Sequence, residues 1–296
     1  NPSIDHIIDC DDKSLSGLRK LRASLDPLRP QAGLLLTNTT HSLLSFRFAG
    51  ISRIYGYKRN LRRFFLTDGP LPECRDGRIT PVPMQDYYLN LCRFLGLEAP
   101  DNPGPALFIS DSLAEIGEQQ LQCYGIEQDD LVIGLNPGAS FGSSKCWPAN
   151  YYARLAELLQ KKFACKLLLL AGPGEQDIAA RIINASNSKI INTAEDNIDL
   201  ALLKPIIRRC NLLITNDTGP RHYAVAFNLP TIVLMGPTNP VYTATNLEYT
   251  SVLRRDLPCM PCHKKVCPLG HHACMTEITP EMVFSRVQDL LAGNRL

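Results

Sequence analysis

The chain has 296 residues, enough for about two domains of the usual ~100–200 residues each. With 45% apolar, 20% charged and 7% aromatic residues it is an ordinary globular protein, which excludes collagen, coiled coil and wholesale disorder. The formal charge is only +2, so no global charge points to a nucleic-acid partner. The longest apolar runs, residues 167–171 and 231–235, are far shorter than the ~18 residues that span a bilayer.

The first third of the chain predicts a mixture of strands and helices. The chain begins with Asn1 instead of Met, and we expect it to be processed or truncated at its start. Apolar alternation predicts strands at residues 3–8 and 33–38 and a further strand at 106–109. Amphipathic periodicity predicts helices at residues 15–25, 41–49 and 85–95.

From residue 131 onward, short apolar runs alternate regularly with amphipathic stretches. Continuous apolar strands joined by helical crossovers predict a parallel sheet covered on both faces, which binds ligands at the carboxyl ends of its strands. We therefore expect two α/β domains, residues 1–128 and 129–296, with the boundary near 125–130. The predicted strands are 131–135, 166–171, 189–191, 211–215 and 230–235, and the predicted helices are 150–163, 175–185, 199–209 and 219–227.

The loop after the first of these strands, residues 136–148, combines features of a phosphate site. Gly138 allows the backbone to approach a ligand, Ser140 offers a hydroxyl and Lys145 offers a positive charge. Pro148 is well placed to open the next helix. The loop is not a Walker A motif, and an ordinary loop with a surface lysine is the alternative.

The turn Gly172-Pro173-Gly174-Glu175 follows the next strand. A carboxylate at a helix start most simply complements the helix dipole. The functional alternative is that Glu175 accepts hydrogen bonds from ribose hydroxyls, as acidic residues do at nucleotide sites.

A third loop, residues 216–222, follows another predicted strand. Asp217, Thr218 and Gly219 form the predicted first turn of a helix, with His222 one turn further on. A lone histidine there is more often structural than catalytic. Three such loops at one sheet edge nevertheless indicate a diphosphate-sugar pocket better than three independent helix caps do.

These motifs occur in the order Asn-Pro-Gly-Ala-x-x-Gly-x-x-Lys-x-Trp-Pro, Gly-Pro-Gly-Glu, Asn-Asp-Thr-Gly-x-x-His and Gly236-Pro237-Thr238-Asn239-Pro240. In this the chain resembles glycosyltransferase family 9, the ADP-heptose:lipopolysaccharide heptosyltransferases, and particularly their heptosyltransferase II branch. The resemblance implies an α/β fold of the GT-B class, with two Rossmann-like domains whose parallel sheets face each other across a cleft. The first domain would be on the acceptor side and the second would bind the nucleotide sugar.

The resemblance also implies roles for individual residues of the donor site. Lys145, with Ser140 beside it, would contact the donor phosphates, and Glu175 would bind the sugar hydroxyls of the donor. Residues near Ile198 would line the adenine. One loop would grip the diphosphate and the heptose through Asp217, Thr218 and Gly219, with His222 close by.

The implied reaction is an inverting transfer of heptose from ADP-heptose to the inner core of lipopolysaccharide, with Lys145 supporting the leaving group. No Asp-x-Asp motif is present in residues 129–296, the predicted donor-binding domain, so no cofactor is expected for catalysis. The family's first βα unit carries a Gly-Asp loop whose aspartate is taken as the general base. We expect that unit to be absent from this chain, and no residue is assigned as the base.

A basic cluster in the first third suits the acceptor side. Lys58, Arg59, Arg62 and Arg63, together with Arg53, fall within eleven residues that contain no carboxylate. The alternatives are a solvated charge run and, since aromatic residues are interleaved, a single-stranded nucleic acid. The family resemblance favours a phosphorylated lipid A–Kdo acceptor, with peripheral contact at the inner face of the cytoplasmic membrane and no nucleic acid.

Four of the eleven cysteines crowd into the segment 259–274. A Cys-x2-Cys pair with two further thiols suits a closed, structural zinc site, although the second pair is not a clean Cys-x2-Cys. Disulfides or free thiols, and an iron–sulfur cluster, are the alternatives. The four candidate metal ligands are Cys259, Cys262, Cys267 and Cys274.

Three hypotheses for the function follow from these observations. The leading one is a cytoplasmic glycosyltransferase that uses a nucleotide-activated heptose; a family 9 transferase for another sugar nucleotide is a variant of it. The second is a donor-binding but inactive GT-B fragment or regulatory protein. The third is a small zinc-ribbon nucleic-acid binder, which leaves the ordered loops of the second domain unexplained.

Overall fold

The computed structural model describes residues 3–11, 13–101 and 103–293 of the chain. The chain divides into a first unit, Asn1–Pro103 with Val241–Thr245, and a second unit, Gly104–Pro240 with Asn246–Leu296. The division therefore falls after Pro103 and not, as predicted, after residue 128. The reason is a helix that the sequence analysis did not predict, α4 (Asp111–Cys123), which packs against α7 (Leu203–Arg209) of the second unit.

The first unit contains short strands and three helices among its described residues. Its apolar core gathers Leu35, Leu43, Ile51 and Ile54 around a parallel pair of strands. The predicted helices are confirmed within a residue or two, but the strand predicted at residues 3–8 is wrong, because those residues pair with no neighbouring strand. The elements are α1 (Leu15–Leu25), β1 (Gly33–Leu34), α2 (Thr40–Phe48), β2 (Ile54–Tyr55), a 3-10 helix (Asn60–Phe64), β3 (Cys74–Arg75), β4 (Arg78–Ile79) and α3 (Met84–Phe94).

The second unit is built on a six-stranded parallel sheet in the order β10-β9-β8-β5-β6-β7. Every strand predicted from residue 131 onward is present, whereas the strand predicted at 106–109 is not. The strand β10 (Thr250–Arg254) and the helix α10 (Pro280–Leu291) were not predicted from the sequence. The strands are β5 (Leu131–Asn136), β6 (Cys165–Leu169), β7 (Ile190–Asn192), β8 (Leu212–Asn216), β9 (Thr231–Met235) and β10 (Thr250–Arg254).

Two apolar clusters cover the two faces of this sheet. Leu167 and Leu169 of β6 point into one cluster and Leu168 into the other, as the alternation of side chains along a strand requires. The first cluster contains the fully buried Trp147. The helices of the second unit besides α4 and α7 are α5 (Ala149–Lys162), α6 (Gln176–Ala185), α8 (Pro220–Ala226), α9 (Ala273–Thr276) and α10 (Pro280–Leu291).

None of the helices in the described parts of the chain is long and apolar enough to cross a lipid bilayer. The predicted parallel sheet with helices on both faces is present in the second unit. It brings the loops that follow β5, β6, β7 and β8 to one edge.

Candidate functional site

A pocket of about 430 Å³ lies at the carboxyl ends of the central strands of the second unit. The chain passes from β5 through β6 to β7 on one side and from β8 through β9 to β10 on the other. The order of the strands therefore reverses between β5 and β8, where Asn136 is registered with Thr215. Open α/β sheets bind ligands at such a switch point.

The pocket collects residues from all three loops that the sequence analysis singled out. Its lining includes Ser140 from the loop after β5, Glu175 from the loop after β6 and Thr218 with Gly219 from the loop after β8. Ile198, predicted to line the adenine, is also in the wall and is 6% exposed. Five predicted donor-site residues therefore share one concave surface, while their individual contacts with a donor stay predictions.

Gly138 and Glu175 meet at the floor of this site. A Cβ atom added to Gly138 would lie 1.8 Å from Oε1 of Glu175, so only glycine permits this approach. The carboxylate also accepts a hydrogen bond from the backbone N–H of Gly172 at 2.8 Å. Glu175 is thus held in place by its own turn, and it forms part of the wall of the pocket.

Asn216, the last residue of β8, ties the loops after β5 and β8 together. Its side-chain Nδ2 donates to the backbone oxygens of Pro137 at 2.7 Å and Gly138 at 3.2 Å. Its Oδ1 accepts from the backbone N–H of Trp147 at 3.2 Å and from the hydroxyl of Tyr152 at 3.3 Å. This fully buried amide therefore braces both ends of the loop that carries Ser140 and Lys145.

Lys145 is paired with Asp217 next to the pocket. Its Nζ donates to Oδ2 and to the backbone oxygen of Asp217, both at 2.8 Å. Arg221 donates to the other carboxylate oxygen at 2.8 Å, and the hydroxyl of Thr238 donates to Oδ2 at 2.7 Å. Asp217 therefore balances two cations. Neither Lys145 nor Asp217 lines the pocket itself.

The same network sets the protonation of two side chains. Burial raises the pKa of Asp217, but the hydrogen bond and charge of Lys145, with Thr238 and Arg221, outweigh it and bring the pKa down to about 2. Loss of solvent, then the charges of Arg221 and Lys145, lower the pKa of His222, and Asp217 opposes this only in part. Asp217 is thus a permanent anion at neutral pH, and a neutral His222 is favoured beside it.

Three polar residues of the lining had no role assigned from the sequence. Asn136 ends β5 and donates from Nδ2 to the hydroxyl of Thr215 at 2.9 Å. Thr193 and Asp199 come from the segment after β7, the fourth strand end at this edge. Ligands bind at the carboxyl ends of parallel strands, and this rule predicts the segment after β7 as well.

The basic cluster of the first unit is not uniform. Arg62 is fully buried, and its guanidinium donates to the backbone oxygens of Thr37 at 2.6 Å and Tyr57 at 2.7 Å, and to Oδ1 of Asn38 at 3.0 Å. The prediction that Arg62 contacts an acceptor is therefore wrong, because its donors are used inside the unit. Lys58 forms an ion pair with Asp68 at 2.7 Å.

Arg63 is more exposed than Arg62, whereas Nε of Arg59 is buried without a hydrogen-bond partner among the described residues. Arg63 is exposed, and its guanidinium carbon lies 4.7 Å from the centre of the Phe64 ring. Arg59 is half-buried. These two arginines, and Lys58 with part of its charge balanced, remain the predicted acceptor contacts.

The four clustered cysteines are free thiols, and three of them are half-buried while Cys274 is buried. Burial, followed by the charges of the other three thiols, raises the pKa of Cys274 to about 11. Within the described parts of the chain, no group of three or more His, Cys, Asp or Glu side chains is arranged to hold a metal ion. The zinc site at Cys259, Cys262, Cys267 and Cys274 therefore stays a prediction from spacing.

The cysteine segment supports the loop that carries Lys145. The backbone N–H of Ser144 donates to the backbone oxygen of Lys265 at 3.0 Å, and its hydroxyl donates to that of Lys264 at 2.5 Å. Nε2 of His272 lies 2.8 Å from the backbone oxygen of Ser144. Segment 259–274 is thus a structural neighbour of the candidate site, whatever the state of its thiols.

Comparisons with known proteins show which family the chain is similar to. The family model described as "Glycosyltransferase family 9 (heptosyltransferase)" matches residues 18–273. Lipooligosaccharide heptosyltransferase 2 of Campylobacter jejuni is 37% identical over 169 residues, 56% of this chain and 52% of the relative, so the matching part spans about half of that protein. Lipopolysaccharide heptosyltransferase 2 of Escherichia coli K12 is 30% identical over 282 residues, 92% of this chain and 79% of the relative.

Solved structures give the same result for the fold. The structure of E. coli ADP-heptose LPS heptosyltransferase II has a TM-score of 0.74 at 25% identity and covers 94% of this chain and 82% of its own. A glycosyltransferase family 9 protein of Veillonella parvula has a TM-score of 0.82 at 24% identity, with 99% and 84% covered. The predicted α/β fold of the GT-B class is thereby confirmed.

Proposed function

Because the chain belongs to glycosyltransferase family 9, the heptosyltransferase family, we propose that it transfers heptose from ADP-heptose to the inner core of lipopolysaccharide. The names of its relatives support the reaction class. The similar E. coli structure is that of an ADP-heptose LPS heptosyltransferase II, which supports ADP-heptose as the donor.

One observation carries this proposal: the loops after β5, β6 and β8 converge on one pocket at the switch point of the sheet. The pocket offers a hydroxyl at Ser140, a carboxylate at Glu175 and an apolar wall at Ile198. A hydroxyl suits a phosphate oxygen, a carboxylate suits sugar hydroxyls, and an apolar wall suits a purine ring. A nucleotide sugar presents all three groups.

In the proposed reaction the acceptor oxygen forms a bond to the anomeric carbon of heptose while the bond from that carbon to the diphosphate oxygen breaks. Attack from the face opposite to the leaving group inverts the configuration. The acceptor proton passes to a base, which we do not assign among the described residues. The released ADP carries the extra negative charge, and Lys145, held beside Asp217, is assigned to stabilise it.

The acceptor side is proposed from the first unit. Arg59, Arg63 and Lys58 would contact a phosphorylated lipid A–Kdo acceptor, and the protein would work in the cytoplasm, peripherally bound at the inner face of the cytoplasmic membrane. Cations near anionic lipid contribute about 1 kcal/mol each, which supports such a location.

No cofactor is proposed for catalysis, and a structural zinc at the four clustered cysteines is proposed from their spacing. Metal analysis of the purified protein tests the zinc, combined with thermal melting in a chelator. About one zinc per chain and a lower melting temperature in chelator support it. A metal-free protein whose melting is unchanged by chelator contradicts it.

A panel of nucleotide sugars tests the main proposal. Calorimetric binding of ADP, and transfer from ADP-heptose but not from the other donors to a lipopolysaccharide core acceptor, are the expected results. Binding of ADP without transfer from any donor would favour the inactive donor-binding protein. Transfer from a different nucleotide sugar would identify another family 9 activity.

A further inference from the structure

The short turn formed by residues 60–65 of the first unit, hereafter the 60–65 turn, presents apolar side chains to solvent. It consists of the 3-10 helix Asn60–Phe64 and the following Phe65. Leu61 is 74% exposed, Phe64 67% and Phe65 55%. Leaving three large apolar side chains of one turn in water is costly, so the arrangement calls for a partner.

The 60–65 turn is rigidly attached to the unit beneath it. Arg62 points inward and donates hydrogen bonds to the backbone oxygens of Thr37 and Tyr57. Arg47 of α2 donates from one guanidinium nitrogen to the backbone oxygen of Phe65 at 2.8 Å and from the other to that of Ser52 at 2.5 Å. With the middle of the turn fixed by Arg62 and its last residue by Arg47, the exposed side chains are held outward.

Positive charge surrounds these apolar side chains. Arg63 is exposed within the turn itself, and Arg59 directly precedes it. From Arg53 to Thr67 the sequence contains no carboxylate. Lys58 is balanced by Asp68, so the net charge close to the turn comes from arginines.

We propose that the 60–65 turn is a membrane-insertion wedge, whose Leu61, Phe64 and Phe65 enter the interface of an anionic lipid bilayer while Arg59 and Arg63 contact the headgroups. An anionic lipid bilayer is the partner that suits this turn, because its interface accommodates apolar rings and guanidinium groups side by side. This inference deepens the membrane contact of the proposed function and rests on that part of it, independently of which sugar is transferred.

Binding of the whole chain to vesicles tests the wedge. The vesicles contain equal parts of phosphatidylcholine and phosphatidylglycerol, or phosphatidylcholine alone, and no sugar acceptor. We expect the wild type to bind the anionic vesicles more tightly, and the binding to weaken with salt. Phe64→Ser and Phe65→Ser should each weaken it about tenfold, since each removes a buried ring. Arg63→Gln should weaken it about fivefold.

Phe108→Ser in the second unit is the matched control, because Phe108 is 52% exposed and lies outside the turn. It should bind vesicles like the wild type. A tryptophan reporter adds a readout in the folded protein: the emission of Phe64→Trp should shift to shorter wavelength on anionic vesicles, whereas that of Phe108→Trp should not. Equal melting temperatures of the serine variants exclude loss of folding as the cause.

The wedge would be overturned by serine variants that bind anionic vesicles like the wild type, or by an unshifted Phe64→Trp emission on vesicles. A change in oligomeric state of Phe64→Ser without vesicles would also overturn it, by assigning the turn to contact with a second copy. Transfer to a soluble, lipid-free core acceptor separates this inference from the reaction. If the wild-type chain transfers no sugar but binds vesicles as expected, the proposed reaction is wrong and the membrane wedge is supported.

Discussion

The ammonium nitrogen of Lys145 lies 2.8 Å from the carboxylate oxygen Oδ2 of Asp217 and equally close to the backbone oxygen of that residue. This pair links the loop after β5 to the loop after β8 at the sheet edge where the pocket opens. Arg221 neutralises the second carboxylate oxygen, so the cluster keeps a net positive charge of one from these three side chains. A diphosphate bound beside this cluster would therefore meet a net positive charge.

We expect Lys145→Ala to weaken ADP binding by tenfold to a hundredfold. The lysine supplies a charge-assisted hydrogen bond of about 1.5–3 kcal/mol, and its removal leaves Asp217 facing the diphosphate with one cation fewer. Isothermal titration calorimetry measures the change. Lys161→Ala, an exposed lysine in the last turn of α5, is the control and should bind ADP normally. Unchanged affinity of Lys145→Ala would remove the lysine from the phosphate site.

Asp217 should make the protein less stable in acid. Its pKa is about 2 in the folded chain against 3.8 for the unperturbed group, so between these values the unfolded chain binds a proton that the folded chain does not. The stabilisation, roughly 2 kcal/mol, is complete above about pH 4 and is lost as the pH falls through about 2. Denaturant unfolding across this range measures it.

Asp217→Asn should make the free energy of unfolding less dependent on pH in this acidic range. It should also destabilise the protein at neutral pH by about 3–5 kcal/mol, because Lys145 and Arg221 lose their shared anion. Asp129→Asn, at an exposed position, should leave the profile as it is. A profile of Asp217→Asn that matches the wild type would assign the acid sensitivity to other carboxylates.

Asn216→Asp should reduce donor affinity while keeping the shape of the side chain. The carboxylate still accepts from Trp147 and Tyr152, but it cannot donate to the backbone oxygens of Pro137 and Gly138. We expect ADP binding to weaken about tenfold as the loop loosens. Asn211→Ala breaks a hydrogen bond to the backbone of Val132, near the amino end of β5. It should lower stability without changing ADP affinity, so equal affinity losses in both variants would contradict a positioning role for Asn216.

Gly138→Ala should narrow the pocket by displacing the carboxylate of Glu175, which lies 1.8–2.1 Å from the position of the new Cβ atom. We expect weaker binding of ADP-heptose and a stability loss of about 1–3 kcal/mol. In a Glu175→Ala background the same substitution should cost far less, since the carboxylate is gone. A double-mutant cycle measures the coupling, and additive effects would show that the two residues do not share the site. Gly104→Ala, which meets nothing within 4 Å, is the control.

The sequence by itself determined the part of the second unit from β5 to β9. Short apolar strands alternate there with amphipathic helices, and this periodicity follows from burial on both faces of a parallel sheet. The loops that line the pocket were found by the same rule, because the carboxyl ends of parallel strands meet at one edge. The ordered motifs added the family. The sequence alone was enough to predict three donor-site residues, Ser140, Glu175 and Thr218.

Only the tertiary structure decided what depends on contacts between distant residues. Arg62 and Arg63 are neighbours in a basic run, yet one is buried and holds a turn while the other is exposed, because the backbone oxygens that bind Arg62 come from Thr37 and Tyr57. Asn216 likewise ties two loops together through partners 64–79 residues earlier in the chain. Periodicity reports which face of an element is buried, but the partner of a buried polar group is fixed only when the chain has folded.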